Sequence, residues 1–278
     1  MAESDPFIQI PAMNIVQIDS VSCKLPSAWN ELTKKQLIFV SKLFSKSLTI
    51  VDFEVQALYE FLSIKNSLFF KIHPEDAYFL CQTFDFLIKD VNLTRNVMPV
   101  LWHRFHKYYG PSDNMLQCTF GEFTRAHSHL EQYLKTKDEK VLSEIVAILY
   151  RPKKTAWWIR KHFASTKDPR RKLHDLSLKN RTASFKTLDP VIKYGVFLFF
   201  TGVLNSLPEQ FPNVFRKREN SEENKHGWVP LVISLADGKT DDESLDRVLN
   251  SNLYNVFFGL EQKATEYFKF IAETKRHE

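Results

Sequence analysis

Along most of the chain apolar residues recur at steps of three and four, the spacing that lines one face of an α-helix. The cleanest run lies near the C-terminal end, where Leu253, Val256, Phe257, Leu260, Ala264, Tyr267, Phe268 and Ile271 stand at steps of 3, 1, 3, 4, 3, 1 and 3. A long amphipathic helix is predicted there. Other helices announce themselves through residues suited to satisfy the free N–H groups of a first turn. At Thr33-Lys34-Lys35-Gln36 the Thr33 hydroxyl can accept from the backbone of Gln36 while the Gln36 side chain reaches back, and Leu32 can pack on Leu37. Leu37, Val40, Leu43 and Phe44 then define the buried stripe. Thr49 to Asp52 repeats the device ahead of Phe53, Ala57, Leu58, Phe61 and Leu62.

Pro74, with Glu75 and Asp76 in the positively polarised first turn, opens a further helix through Leu80, Phe84, Leu87 and Ile88. A shorter aromatic helix is read from Met98 to Tyr109, stopped by Gly110-Pro111. Thr119-Phe120-Gly121-Glu122 forms another capping box before Phe123, Ala126, Leu130 and Leu134. Asp138 caps the stretch carrying Leu142, Ile145, Val146 and Leu149, which ends at Arg151-Pro152 because a residue before proline is pushed out of the helical region. Asp189-Pro190 starts an apolar helix reaching about Leu207, closed by Pro208 and Pro212. Residues 216–226 read as an exposed loop, Trp228 to Ala236 as a short helix stopped near Gly238, and Lys239 to Glu243 as an acidic turn.

The first two dozen residues differ. Ile8, Ile10, Ile15, Val16, Ile18 and Val21 are scattered among turn formers, Pro6, Pro11 and Pro26, a pattern of one or two short strands or an extended arm that docks on its own domain or on a partner. The expected architecture is therefore mainly α, a multi-helix, bundle-like body with a short extended or β N-terminal arm. Its expected divisions are an arm over 1–25, an N-terminal helical domain over 26–150, a basic connector over 151–187 and a C-terminal helical domain over 188–278.

Composition sharpens the class. The 24 Phe and only 7 Gly among 278 residues suit helices packed through bulky knobs and argue against a turn-rich β-sandwich. Neither a P-loop nor a G-x-G-x-x-G dinucleotide fingerprint can be written with isolated glycines. Cys23, Cys81 and Cys118 are odd in number and far apart, a poor disulfide framework or zinc site and a fit to a reducing, cytoplasmic setting. No basic stretch followed by an apolar core opens the chain, and its most apolar run, Gly195 to Leu204, spans 10 residues where a membrane-crossing helix needs about 20. No membrane partner is expected.

Candidate chemistry is thin. His103 and His106 stand three apart on the predicted aromatic helix, and His127 and His129 flank Ser128; without a neighbouring H-E-x-x-H or C-x-x-C they read as structural histidines rather than metal ligands. Cys118 lies just before a helix start that lowers thiol pKa values, but its simpler role is to staple onto Phe123. Asp237 to Glu243 lacks the alternating oxygen ligands of a calcium loop. The sequence thus predicts a non-enzymatic protein with no catalytic, cofactor-binding or metal-binding residues.

One segment stands out by charge. From Arg151 to Lys186 twelve Lys/Arg face two acids, a net +10 in a chain of total charge +5, so the remainder carries −5. Lys153, Lys154, Trp157, Trp158, Arg160, Lys161, Arg170, Arg171 and Lys172 combine cations with indole rings, the set that contacts phosphates and stacks bases in single strands. The same residues equally suit a connector whose tryptophans pack on the body while its cations meet water or an acidic protein.

A resemblance adds to this reading. Trp29 to Leu37, Phe120 to Phe123 leading to Tyr133 through Asp138, and Val146 to Pro152 resemble a family encoded in phage and prophage tail gene clusters. Leu188-Asp189-Pro190, Phe211 to Phe215 and Ser234 to Lys239 are similar to its C-terminal half. The family has no established reaction, so the resemblance carries over no catalytic residue. It implies a tail assembly chaperone or related morphogenesis factor in the host cytoplasm or on the virion, with a tape-measure or tail-tube protein as partner. The alternative is a nucleic-acid-binding accessory protein of a mobile element that uses residues 151–187.

Overall fold

The structure, a computed structural model, describes residues 15–18, 21–154, 168–216 and 227–274. It is mainly α-helical, with two small antiparallel sheets. By the density of its internal contacts the chain divides into two compact units that meet in sequence between Leu93 and Thr94.

The first unit opens with the short strands expected of the arm, β1 (Ile15–Ile18) and β2 (Val21–Lys24), paired antiparallel. They dock on their own unit: Val16 and Ile18 are buried, and the Cys23 thiol donates to the carbonyl of Leu62 at 3.4 Å. The expected arm residues before Ile15 lie outside the described residues. Helix α1 (Lys34–Phe44) begins with the reciprocal box: Gln36 N donates to Thr33 Oγ1 at 3.3 Å, and Thr33 N donates to Gln36 Oε1 at 2.9 Å. Helix α2 (Ile50–Leu62) is capped by Thr49, whose Oγ1 accepts from Asp52 N at 3.1 Å. After a single turn, α3 (Asn66–Phe69), the helix read as continuous from Pro74 to Ile88 is in fact two, α4 (Pro74–Gln82) and α5 (Asp85–Ile88). The break at Thr83-Phe84 turns Phe84 into the core, where it meets Phe61 edge-on with ring centroids 5.2 Å apart.

In the second unit the largest correction comes first. Residues 98–109, read as an aromatic helix, form a hairpin of β3 (Val100–His103) and β4 (His106–Tyr109). Leu101 and Tyr108 face each other on the buried side; Trp102 and Lys107 face each other on the exposed side, with Lys107 Nζ 4.4 Å from the Trp102 ring centre. The pair His103 and His106, expected one helical turn apart, closes the ladder instead. Arg104 (φ 44°) and Phe105 (φ 64°) both occupy the left-handed region at the tip. A two-residue hairpin turn favours that backbone, but Asn-Gly or Asp-Gly usually supplies it, so the turn left no mark in the sequence.

The body is built on α6 (Phe120–Thr136) and α7 (Glu139–Leu149), which pack on each other; α7 also contacts α8 (Asp175–Phe185) and α9 (Pro190–Gln210). Asp138 and Asp189 cap α7 and α9 as expected, accepting from Lys140 N and Val191 N at 2.9 Å each. Helix α9 runs past Pro208 and is long and apolar enough to cross a bilayer by composition. Here it supplies the core residues Val196, Phe199, Phe200, Val203 and Leu207, and its buried Lys193 pairs with Glu139. Three helices complete the unit: α10 (Val229–Leu235), α11 (Asp242–Asn250) and α12 (Leu253–Thr274). The stretch read as an acidic turn is the start of α11, whose N-cap Asp241 accepts from Ser244 N at 2.9 Å. At the centre, Phe123 packs edge-on against Phe200, Trp228 and Phe257 at 6.1, 5.4 and 5.6 Å between ring centroids.

The boundary expected near Tyr150 lies inside this unit. Tyr150 is fully buried, and its hydroxyl donates to the carbonyl of Met98 at 2.8 Å. The described parts of 151–187 are woven into the same body: Arg151 pairs with Tyr109, Lys153 with Arg170, and α8 packs on α7.

Candidate functional site

The cations of the basic segment divide into two groups. Arg151 and Arg170 are each 1% exposed. They converge on two carboxylates, Glu122 from the first turn of α6 and Asp168. Arg170 Nη2 donates to Glu122 Oε2 at 3.0 Å and to Asp168 Oδ2 at 2.9 Å, Nε reaches Asp168 Oδ1 at 2.9 Å, and Nη1 donates to the carbonyl of Leu149 at 2.9 Å. Arg151 Nη2 lies 2.7 Å from Glu122 Oε1, a charge contact without hydrogen-bond alignment, and 3.6 Å from Asp168 Oδ2. A third guanidinium, Arg181, donates to the carbonyl of Ala147 at 3.0 Å; burial, with Arg151 beside it, lowers its pKa to about 10. The cluster therefore holds two guanidinium groups, those of Arg151 and Arg170, around two carboxylates, with Arg181 beside Arg151.

This network corrects two expectations. Glu122 was read as the returning half of a capping box. Thr119 Oγ1 does accept from Glu122 N at 3.2 Å, but the Glu122 carboxylate turns inward to the arginines. Arg170, proposed as a phosphate contact, is saturated by carboxylates and a carbonyl and has no surface to offer. Cys118 sits beside it, 3.4 Å from Arg170 Nη2, and burial pushes its thiol up to about 12 despite the arginine, the opposite of activation.

The second group stays outside. Lys153, Arg171 and Lys172 are exposed, and Lys154 is half-buried with Nζ donating to the carbonyl of Asp168 at 2.9 Å. Lys153 Nζ rests 5.7 Å from the Tyr109 ring centre, and Arg171 Nε donates to the carbonyl of Lys153 at 3.3 Å. Trp157, Trp158, Arg160 and Lys161 lie outside the described residues. Of the nine nominated residues, the structure thus brings Lys153, Lys154, Arg170 and Arg171 together as a short two-stranded ladder, with Lys154 N donating to Pro169 O at 2.8 Å and Arg171 N to Pro152 O at 2.9 Å.

The histidines act locally. His103 Nε2 donates to the carbonyl of Ser184 at 2.9 Å, and His129 pairs with Glu144 at 2.9 Å. His127 Nδ1 accepts from Trp228 Nε1 at 3.2 Å; burial lowers its pKa, opposed by Glu131. Among the described residues no three His, Cys, Asp or Glu side chains gather into a set that could hold a metal ion.

Two further surfaces were not singled out by the sequence. One is a cleft of about 390 Å³ between α6, α10 and α11, lined by Thr124, Trp228, Val232, Ile233, Leu245 and Leu249. Gly121 permits the close approach of α11 on α6, because a Cβ there would stand 3.0 Å from Leu249 O. The other is the outer half of α12. Leu253, Tyr254 and Phe257 are buried, and Glu261 is held by Asn213, whose Nδ2 donates to it at 2.7 Å. Beyond this anchor the apolar stripe continues while its cover thins: Ala264, Phe268 and Ile271 are half-buried, and Tyr267 and Phe270 are 51% and 68% exposed. The stripe itself was legible; that the described residues cover its outer turns only in part was not, because periodicity defines a face and not its partner.

The chain matches no family model, no curated protein and no solved structure.

Proposed function

We propose that this chain is a non-enzymatic, phage-type morphogenesis factor, of the tail assembly chaperone kind, that holds an apolar helical segment of a tail polypeptide against α12. The partner class, a tape-measure or tail-tube protein met in the host cytoplasm, comes from the family resemblance. The observation that carries the mode of action is the stripe on α12, which keeps its helical period into turns that the described residues cover only in part. Such a stripe suits recognition of an amphipathic helix, read through anchors three and four residues apart. The inward turn of Arg170 adds support, since it takes a cation away from the competing nucleic-acid reading.

Co-expression with candidate tail polypeptides tests the proposal. The partner should co-purify at moderate salt, and Tyr267→Ser with Phe270→Ser should weaken its retention at least tenfold while leaving the unfolding midpoint unchanged. Retention unaffected by the double variant, or steeply salt-dependent nucleic-acid binding without any tail partner, would reject it.

A further inference from the structure

We infer that His127 is a proton-operated latch on Trp228. Neutral, it holds the indole that walls the cleft between α6, α10 and α11; protonated, it loses its hold on the indole and turns to Glu131. The inference does not rest on the proposed function and involves neither the outer half of α12 nor a tail polypeptide.

The latch follows from what each ring can do. An indole N–H only donates, so the 3.2 Å bond from Trp228 Nε1 to His127 Nδ1 exists only while Nδ1 keeps its lone pair. The neutral tautomer is thereby fixed, with its hydrogen on Nε2. A second proton must go to Nδ1, where it sets two N–H groups face to face in place of one hydrogen bond. An acceptor for the new N–H already stands close by: Glu131 Oε1, one turn along α6, is 3.7 Å from the same nitrogen. That separation is too long for a hydrogen bond, and a small rotation of the charged ring closes it. One proton thus exchanges one partner of Nδ1 for another.

Among the described residues Glu131 is the only charge that acts on His127. Helix α10, which follows Trp228, carries no titratable side chain. Arg125, earlier on α6, pairs with Asp175 at the start of α8; Glu144 of α7 pairs with His129, Lys193 of α9 with Glu139, and Arg247 of α11 with Glu243. Glu261 of α12 is held by Asn213, and Asp242 and Asp246 of α11 are exposed.

What the latch holds is structural. The half-buried Trp228 ring stands edge-on to Phe120, Phe123 and Phe257, with centroids 5.8, 5.4 and 6.3 Å away. Its carbonyl opens α10 by accepting from Val232 N at 3.0 Å, and its ring lines the cleft beside Val232, Ile233 and Leu245. Loosening the indole therefore loosens one wall of the cleft and the first turn of α10 together. The ring contacts with the phenylalanines persist in either state, so the proton shifts a population and does not eject the side chain. Losing the bond and leaving its donor unpaired reduces the seated fraction about tenfold relative to the unseated one.

Heteronuclear magnetic resonance of the full chain, labelled with nitrogen-15 in tryptophan and histidine and titrated from about pH 8 to about pH 4.5, tests this. The Trp228 indole signal is the one missing from Trp228→Phe. It should shift as His127 Nδ1 takes its proton, with one shared midpoint below the ordinary histidine value of about 6.5. In His127→Gln the side-chain oxygen accepts at every pH, so the indole signal should stay and its pH response vanish. At the acid end the wild-type indole N–H should exchange with solvent about tenfold faster than in that variant. Glu131→Gln removes the carboxylate that attracts the proton and should lower the midpoint; being half exposed, this position also serves if His127→Gln misfolds by circular dichroism. An indole signal unchanged across the titration, a response that survives in a folded His127→Gln, or a midpoint that Glu131→Gln leaves in place or raises would overturn the inference.

Discussion

Replacing Glu122 by Gln removes one charge from a cluster in which every neighbour depends on it. The carboxylate lies 3.0 Å from Arg170 Nη2 and 2.7 Å from Arg151 Nη2, and the two arginine side chains are at most 1% exposed. After the change, Asp168 would be the sole carboxylate facing the two guanidinium groups of Arg151 and Arg170. Removing one partner from a buried ion pair typically costs about 3–5 kcal/mol, because the remaining charge stays desolvated. Gln keeps the shape and one acceptor, which places the expected cost near 3 kcal/mol. In a domain of this size each kcal/mol moves the melting midpoint by about 2–4 °C, so a fall of about 6–12 °C is expected. Urea unfolding is the cleaner assay, since guanidinium would itself screen the charges. The pair Arg125–Asp175, whose side chains are 45% and 73% exposed, is the internal control: Arg125→Gln should cost less than about 1 kcal/mol. If Glu122→Gln costs no more than that control, the buried cluster does not hold the fold and the argument fails.

Further expectations follow from local geometry. A Cβ at Gly110 would stand 2.6 Å from Tyr150 Cε1 and 2.8 Å from Asn96 Nδ2, both fixed by hydrogen bonds, so Gly110→Ala should cost about 1–3 kcal/mol in chemical denaturation. Substituting Arg104→Asn with Phe105→Gly supplies the residues the turn prefers and should raise stability by about 1–2 kcal/mol; loss of stability would show that the tip is not strained. His127 is held below its ordinary pKa by burial, with Glu131 opposing, so the unfolded chain binds the proton first and stability falls as pH drops through about 6.5. His127→Gln should remove that share of the slope, and a wild type that gains stability relative to the variant on acidification would show that Glu131 dominates. Thr33→Ala should cost about 1 kcal/mol of the first unit's stability, measured by its unfolding midpoint.

Helices that carry their own start signals were legible in the sequence, as Thr33, Asp138 and Asp189 show, because a cap is a local device readable within four residues. The hairpin was not, since Arg104-Phe105 adopts its turn without the usual residues and the surrounding aromatics suit a helix as well as a strand. Helix α11 was hidden by its acidic start, which resembles a solvated turn until Leu245 and Leu249 find the cleft wall. The basic segment misled for a different reason. Charge counting cannot separate a solvated lysine from an arginine that finds a carboxylate far off in the chain, and the pairing of Arg170 with Glu122 spans 48 positions. The candidate surfaces were half visible: the stripe of α12 stood out, but the exposed remainder of it and the cleft between α6, α10 and α11 depend on what the rest of the fold leaves uncovered.

The three thiols give the molecule a chemical clock. Cys23 and Cys81 are buried in the first unit and Cys118 in the second, and burial raises the pKa of each. A thiol reagent that consumes thiolate can reach them only when the surrounding structure opens. The unmodified chain therefore reports, through the order in which its cysteines are trapped and located by peptide mass, which unit opens first and how often, with no engineered label. The same readout applied to Glu122→Gln should hasten the trapping of Cys118 and leave the other two at their native pace.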